Sequence, residues 1–252
     1  THYSYDIAGN VKVLVQEIGP LRQYDREFKR IEYEYDLVSS KVNKVWYQKD
    51  SLDQFAHWYL YDDDNKLITV YTSHDGLLWD MDANYMYYDH GPLARVELGQ
   101  RQVQGLDYAY TVQGWLKGMN GDALDPTKEM GADGKTSGAH QFIARDVAGF
   151  SLSYFTSDYK PIGSTNFEAG YSTTAGFGAS SPSLYNGNIR RATYALDKLD
   201  NKTIGYSYTY DQLNRLISQR AWTNFNTGTY AWPGSGSAGT KWREDVTYDA
   251  NG

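Results

Sequence analysis

An all-β chain of consecutive antiparallel hairpins, coiled into a spiral or solenoid sheet, is the fold this sequence predicts. Three observations predict it. The phrase Tyr-x-Tyr-Asp, followed by a polar turn and a β-branched return, recurs along the chain. Tyrosine and glycine each occur 24 times and tryptophan 7 times, a balance that favours strands and half-buried rings. A lone hairpin is marginal in water, so hairpins following one another must pair edge to edge.

The first copy is Tyr3-Ser4-Tyr5-Asp6-Ile7-Ala8-Gly9-Asn10, with Val11, Val13 and Val15 on one face of its return. Tyr33, Tyr35 and Asp36 open the second, which returns over 42–47. The third is the clearest. Tyr59 and Tyr61 share a strand face, and the Asp62-Asp63-Asp64-Asn65 run has turn chemistry, since Asp and Asn bond their own backbone and tolerate left-handed conformations. Leu67-Ile68-Thr69-Val70-Tyr71 then returns. A fourth copy takes Tyr88 and Asp89 as its tyrosine and aspartate and returns over 93–98. Tyr108 and Tyr110 form a fifth without the aspartate; Tyr208, Tyr210 and Asp211 restore it, and Tyr248-Asp249 begins another. The second tyrosines at 5, 35, 61, 88 and 110 give a period of about 22 to 30 residues, a hairpin plus its connection. The next falls only at 210.

The chain therefore divides into regular repeats over 1–116, an irregular insertion with long loops over 117–183, and resumed repeats over 184–252. Within the insertion, 119–138 is loop-like with a short helical turn at 126–130. Phe150, Leu152 and Tyr154 alternate with Ser151 and Ser153 as a strand, and the Gly/Ser/Thr-rich 162–182 is expected as a long surface loop. Asn186-Gly187 signals a hairpin returning over 189–196. The segment 234–239 is a flexible connection.

The repeated Tyr-x-Tyr-Asp-x-x-Gly-Asn/Arg-Leu phrase, best matched at 3–11, 59–67 and 208–216, resembles the YD repeats of the Rhs family of bacterial polymorphic toxins. The insecticidal toxin complex C component and the teneurins share that repeat. Tyr185-Asn186-Gly187-Asn188 and the phrase from Arg145 to Phe150 resemble further phrases of long exported members, so the likeness spans essentially the whole chain. It implies a strip of hairpins coiling into a hollow shell around a C-terminal toxin or effector polypeptide. This chain would be a non-enzymatic segment of the wall, extracellular or on the outer surface of a bacterium. Its implied partners are the neighbouring repeats, core segment and toxin cargo of its own parent polypeptide, and secretion machinery. Both ends cut through a hairpin motif, as expected of a piece of a longer protein. Size agrees: about 16 strands at roughly 4.8 Å make a sheet about 77 Å wide, about 25 Å across if rolled once. A folded 100-residue domain, with a radius of gyration of about 13 Å, would not fit inside.

A net charge of −7 and a pI near 5.2 argue against nucleic acid and anionic membranes as partners. No stretch of 18 apolar residues offers a membrane-spanning helix. The absence of cysteine removes disulfides and thiolate metal sites. Cofactors are not expected.

Candidate chemistry is sparse. Asp62, Asp63, Asp64, Asp80 and Asp82 are read as turn residues, since glycoside hydrolysis needs two carboxyls facing across a cleft. Asp80-x-Asp82-x-Asn84 starts like a calcium loop, but its sixth position is Tyr85 and its twelfth Gly91, not Gly and Glu. His2, His57, His74, His90 and His140 show no i,i+4 pairing. Ser235 and Ser237 lack the strand-turn-helix setting of a nucleophile elbow. Asp125-Pro126 is read as loop. The alternative function is a carbohydrate-binding or adhesion module, with Trp58, Trp79, Trp115 and Trp222 stacking on sugar rings. Packing between hairpins is the favoured reading for these rings and for Trp46, Trp232 and Trp242.

Overall fold

A computed structural model describes residues 1–122, 124–161, 167–171, 176–199, 203–223, 225–232 and 238–249. The chain forms two compact units, Thr1–Val103 and Gln104–Gly252, the division falling ahead of residue 116, where the regular repeats were expected to end.

The first unit is a single sheet. Its strands are β1 (His2–Tyr5), β2 (Val11–Glu17), β3 (Phe28–Tyr35), β4 (Val42–Tyr47), β5 (Phe55–Tyr61), β6 (Leu67–Ser73), β7 (Asp80–Tyr87) and β8 (Leu93–Leu98), with a 3-10 turn at Gly19–Tyr24. Each pairs antiparallel with the next in sequence. The period-2 alternation sorts the side chains. Tyr33, Val45, His57 and Thr72 lie opposite one another across four strands, while Glu34, Lys44, Trp58 and Tyr71 occupy the other face.

Four hairpin turns share one device. The Asp62 amide donates to Lys66 O at 2.9 Å and the Asn65 amide to Asp62 O at 2.9 Å, while Asp62 Oδ1 accepts the amides of Asp64 and Lys66 at 3.0 and 2.8 Å. Asp6, Asp36 and Asp211 accept two amides each in the same way. The residue closing the turn is left-handed, with φ of 89° at Gly9, 62° at Asn65 and 62° at Asn214, which is why Gly or Asn stands there. After each turn the returning strand carries one extra residue. Ser4 faces Val13 but Tyr5 faces Val11; Leu60 faces Thr69 but Tyr61 faces Leu67; Thr209 faces Ser218 but Tyr210 faces Leu216. Such bulges disrupt the ladder and sharpen the local twist.

The fourth copy corrects the sequence reading. Tyr87 faces Leu93 across the bulge, so Tyr87 holds the second-tyrosine position and Tyr88 that of the aspartate, its amide donating to Pro92 O at 2.9 Å. Tyr88 and Asp89 stand one residue further into the turn than expected, because the strand ends where the bulge sets the register. Thr111 replaces the aspartate in the fifth copy, its Oγ1 accepting the Trp115 amide at 3.2 Å.

The second unit orders β9 (Gln104–Tyr110), β10 (Leu116–Met119), β11 (Ala148–Ser153), β13 (Arg191–Leu196), β14 (Thr203–Tyr210), β15 (Leu216–Trp222) and β17 (Ala238–Asp245) in an antiparallel sheet. A separate parallel pair joins β12 (Gly170–Tyr171) to β16 (Ala231–Trp232). Because Ser153 faces Arg191, the residues between β11 and β13 are one elaborated hairpin turn. The returning strand after Asn186-Gly187 therefore pairs with β11, not with residues just before the turn. The expected surface loop at 162–182 is also corrected. Phe167, Ala169, Phe177 and Ser181 are buried, because Phe177 packs on Trp222 and Trp232 at 5.9 and 4.6 Å. Residues 162–166, 172–175 and 233–237, including the Ser235 and Ser237 candidates and most of the expected flexible connection, lie outside the described residues. The turn at 125–129 is a single one, Lys128 and Glu129 amides both donating to Asp125 O. No described helix is long and apolar enough to cross a membrane.

Asp62→Ala is expected to destabilise the first unit by about 1 kcal/mol, because two turn amides lose their acceptor. Asp63→Ala, at an exposed neighbour, should leave stability unchanged. Thermal denaturation of the two variants side by side checks this; equal losses would refute the assigned role of Asp62.

Candidate functional site

Within each unit, a seam of tyrosine hydroxyls ties hairpins to the one before. Tyr35 Oη donates to Val11 O at 2.9 Å, Tyr61 to Val42 O at 3.0 Å and Tyr87 to Leu67 O at 2.8 Å. In the second unit Tyr154 donates to Leu116 O at 2.7 Å, Tyr210 to Ile189 O at 2.9 Å and Tyr248 to Leu216 O at 2.8 Å. The direction never changes. The donor stands at the end of an outgoing strand or up to three residues beyond it, and the acceptor is the chain re-entering the sheet one hairpin earlier. Val11, Val42, Leu67, Leu116 and Leu216 are the residues that face the preceding hairpin's own second tyrosine at its bulge. Burial pushes the phenols of Tyr35, Tyr61, Tyr87, Tyr154 and Tyr210 above their ordinary value, so they stay protonated donors.

The inner tyrosines stack behind the seam. Tyr3 lies 6.5 Å from Tyr5, Tyr33 6.3 Å from Tyr35, and His57 6.0 Å from Tyr59. Tyr208 is pushed up by burial and by its neighbours Tyr194, Tyr210 and Tyr206. Tyr154 was read as a strand residue, and the sequence gives it no following aspartate or Gly/Asn turn to mark it as a seam member. Tyr108 and Tyr110 lie on β9, with burial pushing Tyr110 up. Asp249 follows the seam residue Tyr248.

The tryptophans expected as sugar platforms are engaged with protein. Trp58 and Trp79 pack edge to face at 5.6 Å, Trp58 lies 5.5 Å from Tyr71, and the Lys44 ammonium sits 5.2 and 5.5 Å above the two indoles. Trp46 closes the group at 6.1 Å from Trp79 and donates to Glu34 at 2.8 Å. A side chain at Gly76 would come within 2.8 Å of the Trp46 ring, which keeps that position glycine. Trp115 packs at a tilt against Tyr154, 5.0 Å away. Trp222 is 7% exposed, donates to Ser207 Oγ and belongs to the core with Phe177 and Trp232, so it offers no open ring face.

The second unit holds buried charges that the sequence did not single out. Asp122 pins three segments together: it accepts from Ser151 Oγ on β11 at 3.2 Å, the Ala169 amide at 3.0 Å and Tyr230 Oη at 2.9 Å. Burial pushes its carboxyl up to about 6 despite those donors. Beside it, a cavity of about 10 Å³, space for a single water, is lined by Asp122, Glu168, Arg191 and Trp232. Lys117, the extra residue of the β10 bulge, is fully buried between Asp158 Oδ1 at 2.9 Å and Glu168 Oε1 at 3.1 Å. Burial alone would lower its pKa, but the charges of Glu168 and Asp158 raise it. Arg190 and Arg191 hold the loop carbonyls of Ser181 and Gly178. Glu129 accepts the amides of Gly131 and Asp133, and burial together with the Asp146 charge pushes it up to about 8. Nothing in the spacing of these residues distinguishes them from loop polars.

Among the described residues no group of three or more His, Asp and Glu side chains is placed to hold a metal ion. Asp80, Asp82 and Asn84 lie along the extended strand β7, where Asp82 accepts from Thr72 Oγ1 at 3.2 Å, so they do not form a loop. Asp125 caps its own turn through the Thr127 amide at 2.9 Å.

Tyr35→Phe and Tyr61→Phe should each cost about 1 kcal/mol, because the methyl-sized change leaves the packing and removes only the donor. Tyr3→Phe should cost nothing measurable; indistinguishable melting temperatures for all three would remove the seam from the account. Glu129 gives a pH test. Its folded pKa lies above the ordinary 4.5, so its contribution is complete below that value and is lost as the pH rises towards 8. The fall in melting temperature between pH about 6 and 8 should flatten in Glu129→Gln; an unchanged slope would assign the titration elsewhere.

Neither a family model nor a curated protein sequence matches the chain. Among solved structures, the crystal structure of TcdB2-TccC3-Cdc42 aligns with 98% of this chain at 14% identity and a TM-score of 0.55. The Tc holotoxin pore of Photorhabdus luminescens, with a TccC3 variant, aligns with 90% at 11% identity and a TM-score of 0.27. This chain spans 10% and 9% of the length of those chains. The first likeness shows a shared all-β hairpin fold.

Proposed function

We propose that this chain is a stretch of wall in a YD-repeat shell, part of a large exported Rhs-type polypeptide that encloses a C-terminal toxin or effector. The wall segment turns over no substrate. Its partners are the neighbouring repeats, the core segment and the cargo of its parent polypeptide, together with secretion machinery, and it works outside the cell or on the outer surface of a bacterium. The tyrosine seam carries this reading. A one-way bond from hairpin to predecessor, repeated six times, is a device for extending a sheet by an indefinite number of equal steps, and it serves no evident purpose in a binding cleft. The fold shared with the TcdB2-TccC3-Cdc42 structure supports it, as does an acidic charge of −7, which suits neither nucleic acid nor an anionic membrane. The carbohydrate-binding alternative has against it the burial of Trp222 and the packing of Trp58 on Trp79.

Electron microscopy of the parent polypeptide is the test. A hollow particle is expected, opened but not abolished by deletion of one hairpin such as 55–73; a solid rod would overturn the proposal.

A further inference from the structure

We propose that Lys117 and Asp158 become joined by an amide bond formed inside the folded chain, with Glu168 as the acid–base group. The three side chains stand in the reactant arrangement. Lys117 Nζ lies 2.9 Å from Asp158 Oδ1 and 3.1 Å from Glu168 Oε1, with side chains 0%, 3% and 14% exposed. Asp158 Oδ2 accepts the Tyr154 amide at 2.6 Å, so one carboxyl oxygen is held by a backbone donor while the other faces the amine. Aromatic rings lie nearby: the Phe167 ring sits against Gly118 and meets Tyr159 edge to face at 5.2 Å.

The chemistry balances without any further reagent. Glu168 takes a proton from the Lys117 ammonium and passes one to Asp158 Oδ1. The freed amine attacks Cγ of Asp158, forming the C–N bond, and the negative charge gathers on Oδ2, where the Tyr154 amide stabilises it. A second proton moves from nitrogen through Glu168 to Oδ1, the Cγ–Oδ1 bond breaks, and one water leaves. Glu168 ends as it began.

Two physical features favour reaction over a lasting ion pair. Fixed juxtaposition of the reacting groups replaces a bimolecular encounter. Condensation also removes two buried charges whose desolvation is costly. The bond would tie the β10 bulge to the elaborated β11–β13 turn across 41 residues, a covalent staple in a chain that has no cysteine.

Intact-mass spectrometry of the purified 28.6-kDa chain decides the matter. The expected mass is that of the sequence less one water, and a tryptic map should contain a branched peptide joining Lys117 to Asp158, with no cleavage after Lys117. The full sequence mass overturns the proposal and leaves an ion pair. A water loss mapped elsewhere, such as cyclisation at Asp133-Gly134, overturns it equally. Lys117→Arg and Glu168→Gln should both return the full mass; complete bond formation in Glu168→Gln would refute the role given to Glu168. Since the unsubstituted chain supplies the primary reading, the test survives a variant that fails to fold.

Discussion

One hydrogen bond sets the terms for the rest of the sheet: a tyrosine hydroxyl filling the acceptor at a bulge one hairpin back. Every return strand but β13 re-enters the ladder with an extra residue, as at Tyr61 opposite Leu67, and the carbonyl just ahead of that residue is thrown off the regular ladder spacing. The hydroxyl of the next hairpin reaches it across a single strand spacing, as Tyr87 reaches Leu67. A tyrosine at this place thus does two jobs. Its ring covers the apolar face, and its oxygen fixes how the next hairpin must lie. Short polar turns capped by Asp6, Asp36, Asp62 and Asp211 then need only reverse the chain.

The second unit keeps this plan and adds a layer to it. Where a four-residue turn would serve, the chain between β11 and β13 makes a long excursion that buries Phe167 and returns Ala169 and Phe177 to the core beside Trp222 and Trp232. Loops buried in this way bring polar groups with them, and each must find a partner. Asp122 gathers three donors, Lys117 meets two carboxylates, and Arg190 and Arg191 take up loop carbonyls. The seam is unaffected: Tyr154 still reaches Leu116 although its own turn has been replaced.

Much of this was legible in the residues. Alternation places Tyr59 and Tyr61 together on one face whatever the surroundings, and Asp-x-x-Gly or Asp-x-x-Asn closes a turn through bonds made within five residues. The errors fall where local chemistry is silent. Tyr87 and Tyr88 are adjacent and chemically identical, and only the bulge opposite Leu93 decides which ends the strand. The stretch 162–182 looked like a surface loop because its Gly, Ser and Thr content is that of a loop, while Phe177 meets its ring partners Trp222 and Trp232 far along the chain. Trp222 was open to a sugar-binding reading for the same reason, since its burial depends on Phe177 and Trp232.

The sequence alone determined the hairpins, the turn residues and the tyrosine repeat, because each is specified by neighbours along the chain, through side-chain alternation and self-bonding turns. Tertiary structure decided the target of each tyrosine hydroxyl, the burial of the inserted segments and the meeting of Lys117 with Asp158 and Glu168. Those depend on strand register and on contacts between residues tens of positions apart, and no local pattern encodes such distances.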